Sequence, residues 1–347
     1  EDEIAIICGP GFEGWSPKSL EKGIGGSEAA VIYAAKELVK LGYKVTVFAD
    51  PKEDQGEYDG VTYLPWYFID IKDTFNILLI WRSVGFLDSG FQARQTYLWA
   101  HDVPTNPDFI EERMKKLTKI FALSQYHRSL FMMQKDKEMV EIPDDKFLVT
   151  GNGALYYDIK EEKREPHRMI YASSYDRGLV HLLLIWSKVR EEIPDATLHI
   201  FYGWETYDAI FKDNPERQAW KAKMNKMMDQ EGIFHHGRIS HEELVKEFCK
   251  SGIFAYPTDF QEISCQNAMT AQIYGAVPVV TNYAALKETV GFGKKVDADV
   301  TSVEGKEIYL NELVGALKNE KWQEEERTKM IPWAKEKFTW SKVAAEW

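Results

Sequence analysis

Two loops in the second half of the chain carry residue types suited to holding an anion. The first, Ser173-Ser174-Tyr175-Asp176-Arg177-Gly178, places small residues, one cation and a glycine ahead of an apolar helical repeat that starts at Leu179. An arginine fork can donate to two phosphate oxygens at once. The second, Asp259-Phe260-Gln261-Glu262-Ile263-Ser264-Cys265, opens a helical repeat at Gln266 and offers free amides, with Glu262 placed to accept from sugar hydroxyls. Each loop alone reads as a helix cap with a solvated charge. Together, at adjacent strand ends, they point to one bound anion with a polyol attached. A direct Arg177–Glu262 pair plugging the pocket would argue against that reading.

Other candidate chemistry is weaker. Gly9-Pro10-Gly11-Phe12-Glu13-Gly14 matches the GxGxxG string after a strand, but Trp15-Ser16-Pro17 follows where a dinucleotide fold needs a helix to open. A helix does begin directly after Gly23-Ile24-Gly25-Gly26-Ser27-Glu28, so the amides of that loop are the better ligand contact. Asp297-Ala298-Asp299 reads as a solvated loop. His235 and His236 are adjacent on a strand, point to opposite faces and cannot share one metal ion without a bend. Cys249 reads as core, and Cys265 lines the second loop without reacting. His101, with Asp102, ends a strand, where a histidine on its own is more often structural.

The elements that carry these residues alternate. Apolar runs at 4–8, 44–49, 61–64, 77–81, 96–99, 120–122 and 147–149 predict strands, with a helix from Ser27 to Leu41 and helical stretches at 107–117 and 126–134. A charged, patternless segment at 158–168 reads as a linker. Alternation resumes with strands at 169–172, 197–202, 233–236, 253–257 and 277–281 and helices at 179–191, 215–229 and 266–274; Ser240 and Glu243 form a capping box. The fold class is α/β, two Rossmann-like doubly wound domains facing across a cleft: an N-terminal domain at 1–157, the linker at 158–168, a C-terminal domain at 169–330, and a C-terminal helix at 331–347. In such sheets ligands sit at the carboxyl ends of strands.

Composition narrows the classes. The 347 residues suffice for about two domains. With 43 Lys+Arg against 55 Asp+Glu, the net charge of -12 opposes nucleic acid and anionic membranes as partners. Three distant cysteines argue against a disulfide framework and for a reducing compartment. No apolar run reaches the roughly 18 residues of a transmembrane segment. The expected location is cytoplasmic, or peripheral to a membrane.

The segments Tyr171–Leu179, Leu198–Trp204, Glu262–Cys265 and Gly275–Val280 resemble glycosyltransferase family 4, which has the GT-B fold and uses nucleotide-sugar donors. The resemblance implies a retaining hexosyltransferase that needs no metal or other cofactor, with a UDP- or GDP-sugar as donor and a carbohydrate, lipid-linked or protein acceptor. It implies that Gly25, Gly26 and Ser27 lie near the donor phosphates. Arg177 stands where many members have lysine, as the diphosphate cation beside Ser173, Ser174 and Gly178. Glu262 matches the first of two family glutamates and contacts the donor sugar, with Ile263, Ser264 and Cys265 in the same loop. Thr270 stands where the second glutamate would meet the ribose, a departure that removes a carboxylate. His101 and Asp102 approach the reacting sugar, Asn152 lies at the domain hinge, and Gly203 and Arg238 lie near the base. The alternatives are a sugar-nucleotide epimerase of the same shape, a noncatalytic nucleotide-sugar or polysaccharide-binding protein and, more remotely, a nicotinamide oxidoreductase.

Overall fold

The computed structural model describes residues 2–11, 13–105, 108–133, 140–160 and 162–347. The chain divides into two compact units. Unit 1 comprises the chain through Leu20, Ile24–Gly153 and Trp340–Trp347; unit 2 comprises Glu21–Gly23 and Ala154–Thr339.

Unit 1 is built on a sheet of β1 (Glu3–Ile7), β2 (Lys44–Ala49), β3 (Gly56–Tyr58), β4 (Val61–Pro65), β5 (Thr74–Trp81), β6 (Gln92–Trp99), β7 (Lys119–Ala122) and β8 (Phe147–Val149). Its order is β3-β4-β2-β1-β5-β6-β7-β8. Every pairing is parallel except β3 with β4. Ile6, Ile7, Val47, Ile80 and Leu98 are buried, as strands covered on both faces require. Helix α1 (Gly26–Lys40) buries its Ala29–Ile32, Ala34, Ala35 and Leu38 face. Helices α2 (Glu111–Lys116) and α3 (Gln125–Met133) are shorter than the helical stretches read at 107–117 and 126–134; Pro107 and Gln134 lie outside the described residues.

Unit 2 has an all-parallel sheet of β9 (Glu165–Tyr171), β10 (Thr197–Phe201), β11 (Ile233–Gly237), β12 (Ser251–Tyr256), β13 (Val277–Thr281) and β14 (Lys294–Val296), ordered β11-β10-β9-β12-β13-β14. The order reverses between β9 and β12, the switch point at which doubly wound sheets place ligands. All six residues of β12 are buried. The helices are α4 (Leu179–Glu192), α5 (Glu205–Phe211), α6 (Pro215–Met228), α7 (His241–Lys250), α8 (Gln266–Tyr274), α9 (Leu286–Thr289), α10 (Val303–Leu317) and α11 (Glu320–Lys337). The Ser240–Glu243 capping box opens α7, and Gly275 ends α8 at φ 83°.

Several boundaries differ from the sequence reading, and the first is that unit 2 takes over at Ala154, inside the stretch 1–157 read as the N-terminal domain. The strand β9 begins at Glu165, inside the segment 158–168 read as linker, because Glu165 pairs with Ser251 of β12. The segment 331–347 is two elements: its start continues α11 in unit 2, whereas α12 (Trp340–Glu346) packs on α1 in unit 1. Among the described residues no helix is long and apolar enough to cross a membrane.

Candidate functional site

The chain leaves β9 at Tyr171 and β12 at Tyr256, and the two loops that follow close on one another in unit 2. Asn267, in the first turn of α8, donates through Nδ2 to the Ala172 carbonyl at 2.8 Å and to Ser173 Oγ at 3.1 Å. Ser174 Oγ donates to Asp176 Oδ1 at 2.6 Å, and the Tyr171 hydroxyl donates to the Ser174 carbonyl. Gly178 caps α4 at φ 101°; a Cβ there would stand 2.5 Å from the Pro257 oxygen and 2.8 Å from Thr258 Cα. Glycine is therefore required for the loop to approach β12 so closely.

Arg177 projects from this turn with its guanidinium over the Phe260 ring, 4.4 Å from the centroid. Its Nη1 lies 3.5 Å from Glu262 Oε1, the long limit for a hydrogen bond. The same oxygen accepts a shorter bond, 2.6 Å, from the buried Tyr256 hydroxyl. The Glu262 side chain is 5 % exposed and that of Arg177 40 % exposed. The two residues do meet, but through one edge of the guanidinium, and Phe260 and Glu262 hold the arginine in place. The carboxylate weakens its field without covering it.

The remaining loop residues are placed as follows. Cys265 is the N-cap of α8, and burial pushes its thiol well above the usual range, so it stays protonated. Ser264 Oγ is buried with no hydrogen-bond partner among the described residues, beside Ile263 in the same turn. Thr270 is 1 % exposed inside α8, and its hydroxyl is likewise without a partner among the described residues. On the β10–β11 side, Gly203 donates its N–H to the Tyr175 hydroxyl at 2.9 Å, and that hydroxyl meets His235 Nε2 at 2.7 Å. Arg238 donates to Thr206 Oγ1 at 2.7 Å and lies 3.8 Å from Glu205 Oε2. Tyr202, a non-glycine residue at φ 115°, follows β10 in a strained conformation of the kind that gathers at functional sites.

In unit 1, His101 follows β6 and is 7 % exposed between Trp81 and Trp99, with ring centroids at 5.9 and 4.6 Å. Burial, and then the fields of Arg82 and His127, depress its pKa well below the ordinary value, so the ring is neutral. Among the described residues its Nε2 has no hydrogen-bond partner, nor has the buried Asn152 Oδ1. Asp102 is gripped by both arms of Arg82, at 2.7 and 2.6 Å. At the start of α1, Gly25 is the N-cap and Glu28 folds back on its own backbone N–H. The Glu28 carboxylate thus stands at this helix start, with the Arg82 Nη1 cation 3.8 Å from its Oε1.

Other motifs find structural uses. Asp297 accepts from Asn282 Nδ2, and Asp299 accepts from Thr301 ahead of α10. His236 pairs with His199 at 2.9 Å while His235 meets Tyr175, on the opposite face. Sequence reasoning missed Tyr256, Phe260, Arg82 and Glu28. Phe260 lies within the second loop and Tyr256 in the strand before it, but only the fold brings them to Arg177 and Glu262.

No protein-family model matches the chain, and no curated protein matches it in sequence. The structure is similar to sucrose-phosphate synthase from Thermosynechococcus elongatus, with TM-score 0.70 and 14 % identity over 100 % of this chain and 97 % of that one. It is similar to HepE of Anabaena, solved with UDP and glucose, with TM-score 0.67 and 12 % identity over 100 % and 98 % of the two chains. A glycosyltransferase from Rickettsia africae is also similar, with TM-score 0.61 and 16 % identity over 99 % and 96 %. These likenesses show the fold, and the chain has the GT-B architecture of two Rossmann-like domains.

Proposed function

We propose that this chain is a glycosyltransferase of the family 4 type, moving a sugar from a UDP- or GDP-sugar to an acceptor hydroxyl with retention of anomeric configuration and without a metal ion. The observation that carries the reading is the half-exposed Arg177 guanidinium at the β9–β12 switch point, beside the amino end of α8 and the buried Glu262. The fold shared with a protein solved with UDP and glucose supports it.

In this reaction the bond between the anomeric carbon and the diphosphate oxygen breaks, and the diphosphate departs with the electron pair. The acceptor oxygen bonds to that carbon on the same face, and its proton passes to a phosphate oxygen. Arg177 and the amides of Ser264, Cys265 and Gln266 stabilise the departing charge. Ser173, Ser174 and Gly178 shape the phosphate loop, Glu262 orients the sugar hydroxyls, and Arg238 beside Gly203 meets the base. Unit 2 is the donor side and unit 1, which carries the neutral His101, the acceptor side.

The test is product analysis with a panel of UDP- and GDP-sugars in excess chelator. A new glycoside with the donor's anomeric configuration is expected. An epimerised sugar as the sole product, no turnover, or loss of turnover on chelation would each contradict part of the reading.

A further inference from the structure

The first sheet has its own switch point, between β1 and β5, and a second polar cluster sits there. The chain leaves β5 into Arg82, a non-glycine residue at φ 66°. A left-handed residue without glycine costs of order 1–2 kcal/mol and persists where its surroundings hold it. Here the guanidinium is held on three sides: by Asp102 at 2.7 and 2.6 Å, by Glu28 Oε1 at 3.8 Å, and by the Trp81 ring at 5.1 Å. Burial raises the Glu28 pKa, and Glu13 and Asp102 raise it further against the lowering by its own backbone N–H and by Arg82. Two carboxylates therefore share one guanidinium, and a third, Glu13, lies near enough for its charge to act on Glu28.

The cluster also contains polar groups that no described residue satisfies. Trp81 is 4 % exposed, and its Nε1–H has no hydrogen-bond partner among the described residues. His101 Nε2, beside it, is in the same condition. Buried donors left unpaired are unfavourable. A ligand supplying neutral hydroxyls would accept from the indole and donate to the carboxylates. A phosphate or carboxylate would instead face uncompensated like charge.

We infer that Glu28, Arg82, Asp102 and Trp81 form an acceptor subsite selective for uncharged polyols over phosphorylated or carboxylated sugars. The inference rests on the glycosyltransferase reading above and specifies its acceptor. It is tested by nucleotide release from UDP-glucose and GDP-mannose, with glucose, fructose or glycerol as neutral probes and glucose 6-phosphate, fructose 6-phosphate or glucuronate as charged ones.

At least one neutral probe should stimulate release in the native protein, on the order of tenfold or more above its charged counterpart. In the combined Glu28→Gln and Asp102→Asn variant that preference should shrink severalfold, because the repulsion is gone. Stimulation by the charged probes equal to or greater than that by the neutral ones, no stimulation by any neutral probe, or an unchanged preference in a folded double variant would overturn it. Titration of the native protein with UDP and GDP in parallel separates the two failures. Absence of nucleotide binding sinks the transferase reading, whereas nucleotide binding without neutral-polyol stimulation sinks only the subsite. The comparison of probes in the native protein stands even if the double variant fails to fold.

Discussion

Glu262 is held from two sides by donors of different strength, the Tyr256 hydroxyl at 2.6 Å and Arg177 at 3.5 Å. Replacing it with glutamine keeps the shape and removes the charge that opposes a phosphate at Arg177. Glu262→Gln should leave nucleoside-diphosphate affinity equal or higher while transfer falls about 10- to 100-fold, the range for losing a hydrogen bond to a charged group. Calorimetry and turnover measured side by side check this, and equal losses would move Glu262 away from the sugar. His127 offers a pH test at the same scale. Leu123 N–H donates to its Nδ1 at 3.2 Å, so the proton sits on Nε2 and is donated to the Asp102 carbonyl at 2.9 Å. Burial lowers its pKa to about 4, below the ordinary 6.5. Because the folded value is the lower one, the stability it contributes is complete above pH 6.5 and is lost as pH falls toward 4, by up to about 1.4 kcal/mol per pH unit. Urea unfolding at pH 7, 6 and 5 should show that decline, and a flat profile would contradict the neutral, buried ring.

At the scale of elements, the two donor-side loops depend on close approach of backbone to backbone. Gly178→Ala would force a Cβ against Pro257 and Thr258 at a left-handed residue, with an expected loss of about 1–3 kcal/mol and weaker nucleotide binding. Denaturant unfolding and calorimetry on the variant measure both, and full stability with full affinity would show that the loop does not need this packing. The sequence displayed these loops because each follows a buried apolar strand and opens a helix, as Val277–Thr281 and Gln266–Tyr274 illustrate by matching their expected bounds. The short elements β3, β14, α5 and α9 carried too few residues for any period to emerge. Arg177 and Glu262 are 85 residues apart, and their meeting follows from β9 lying next to β12, which no local pattern reveals. The left-handed Arg82 and the carboxylate of Glu28 folded over its own helix start were equally out of reach, since both are outcomes of packing.

At the scale of the molecule, the end of the chain returns to unit 1. Trp347 meets the fully buried Trp99 at 4.7 Å between centroids and Phe121 at 5.1 Å, and its Nε1–H donates to Thr150 Oγ1 at 2.7 Å. Trp340 adds a further contact with Trp99 at 6.2 Å. Trp347→Ala should lower stability by about 2–4 kcal/mol. A change under about 0.5 kcal/mol, the usual range for surface substitutions, would show that this helix adds nothing to the core. The reading of the whole protein rests on unit 2 holding a nucleoside diphosphate at Arg177. Titration calorimetry of UDP and GDP into the native protein and into Arg177→Ala measures that directly. Binding of at least one nucleotide by the native protein, weakened about tenfold or more in the folded variant, is the expected result. No binding of either nucleotide, or equal affinity in both proteins, would contradict the account.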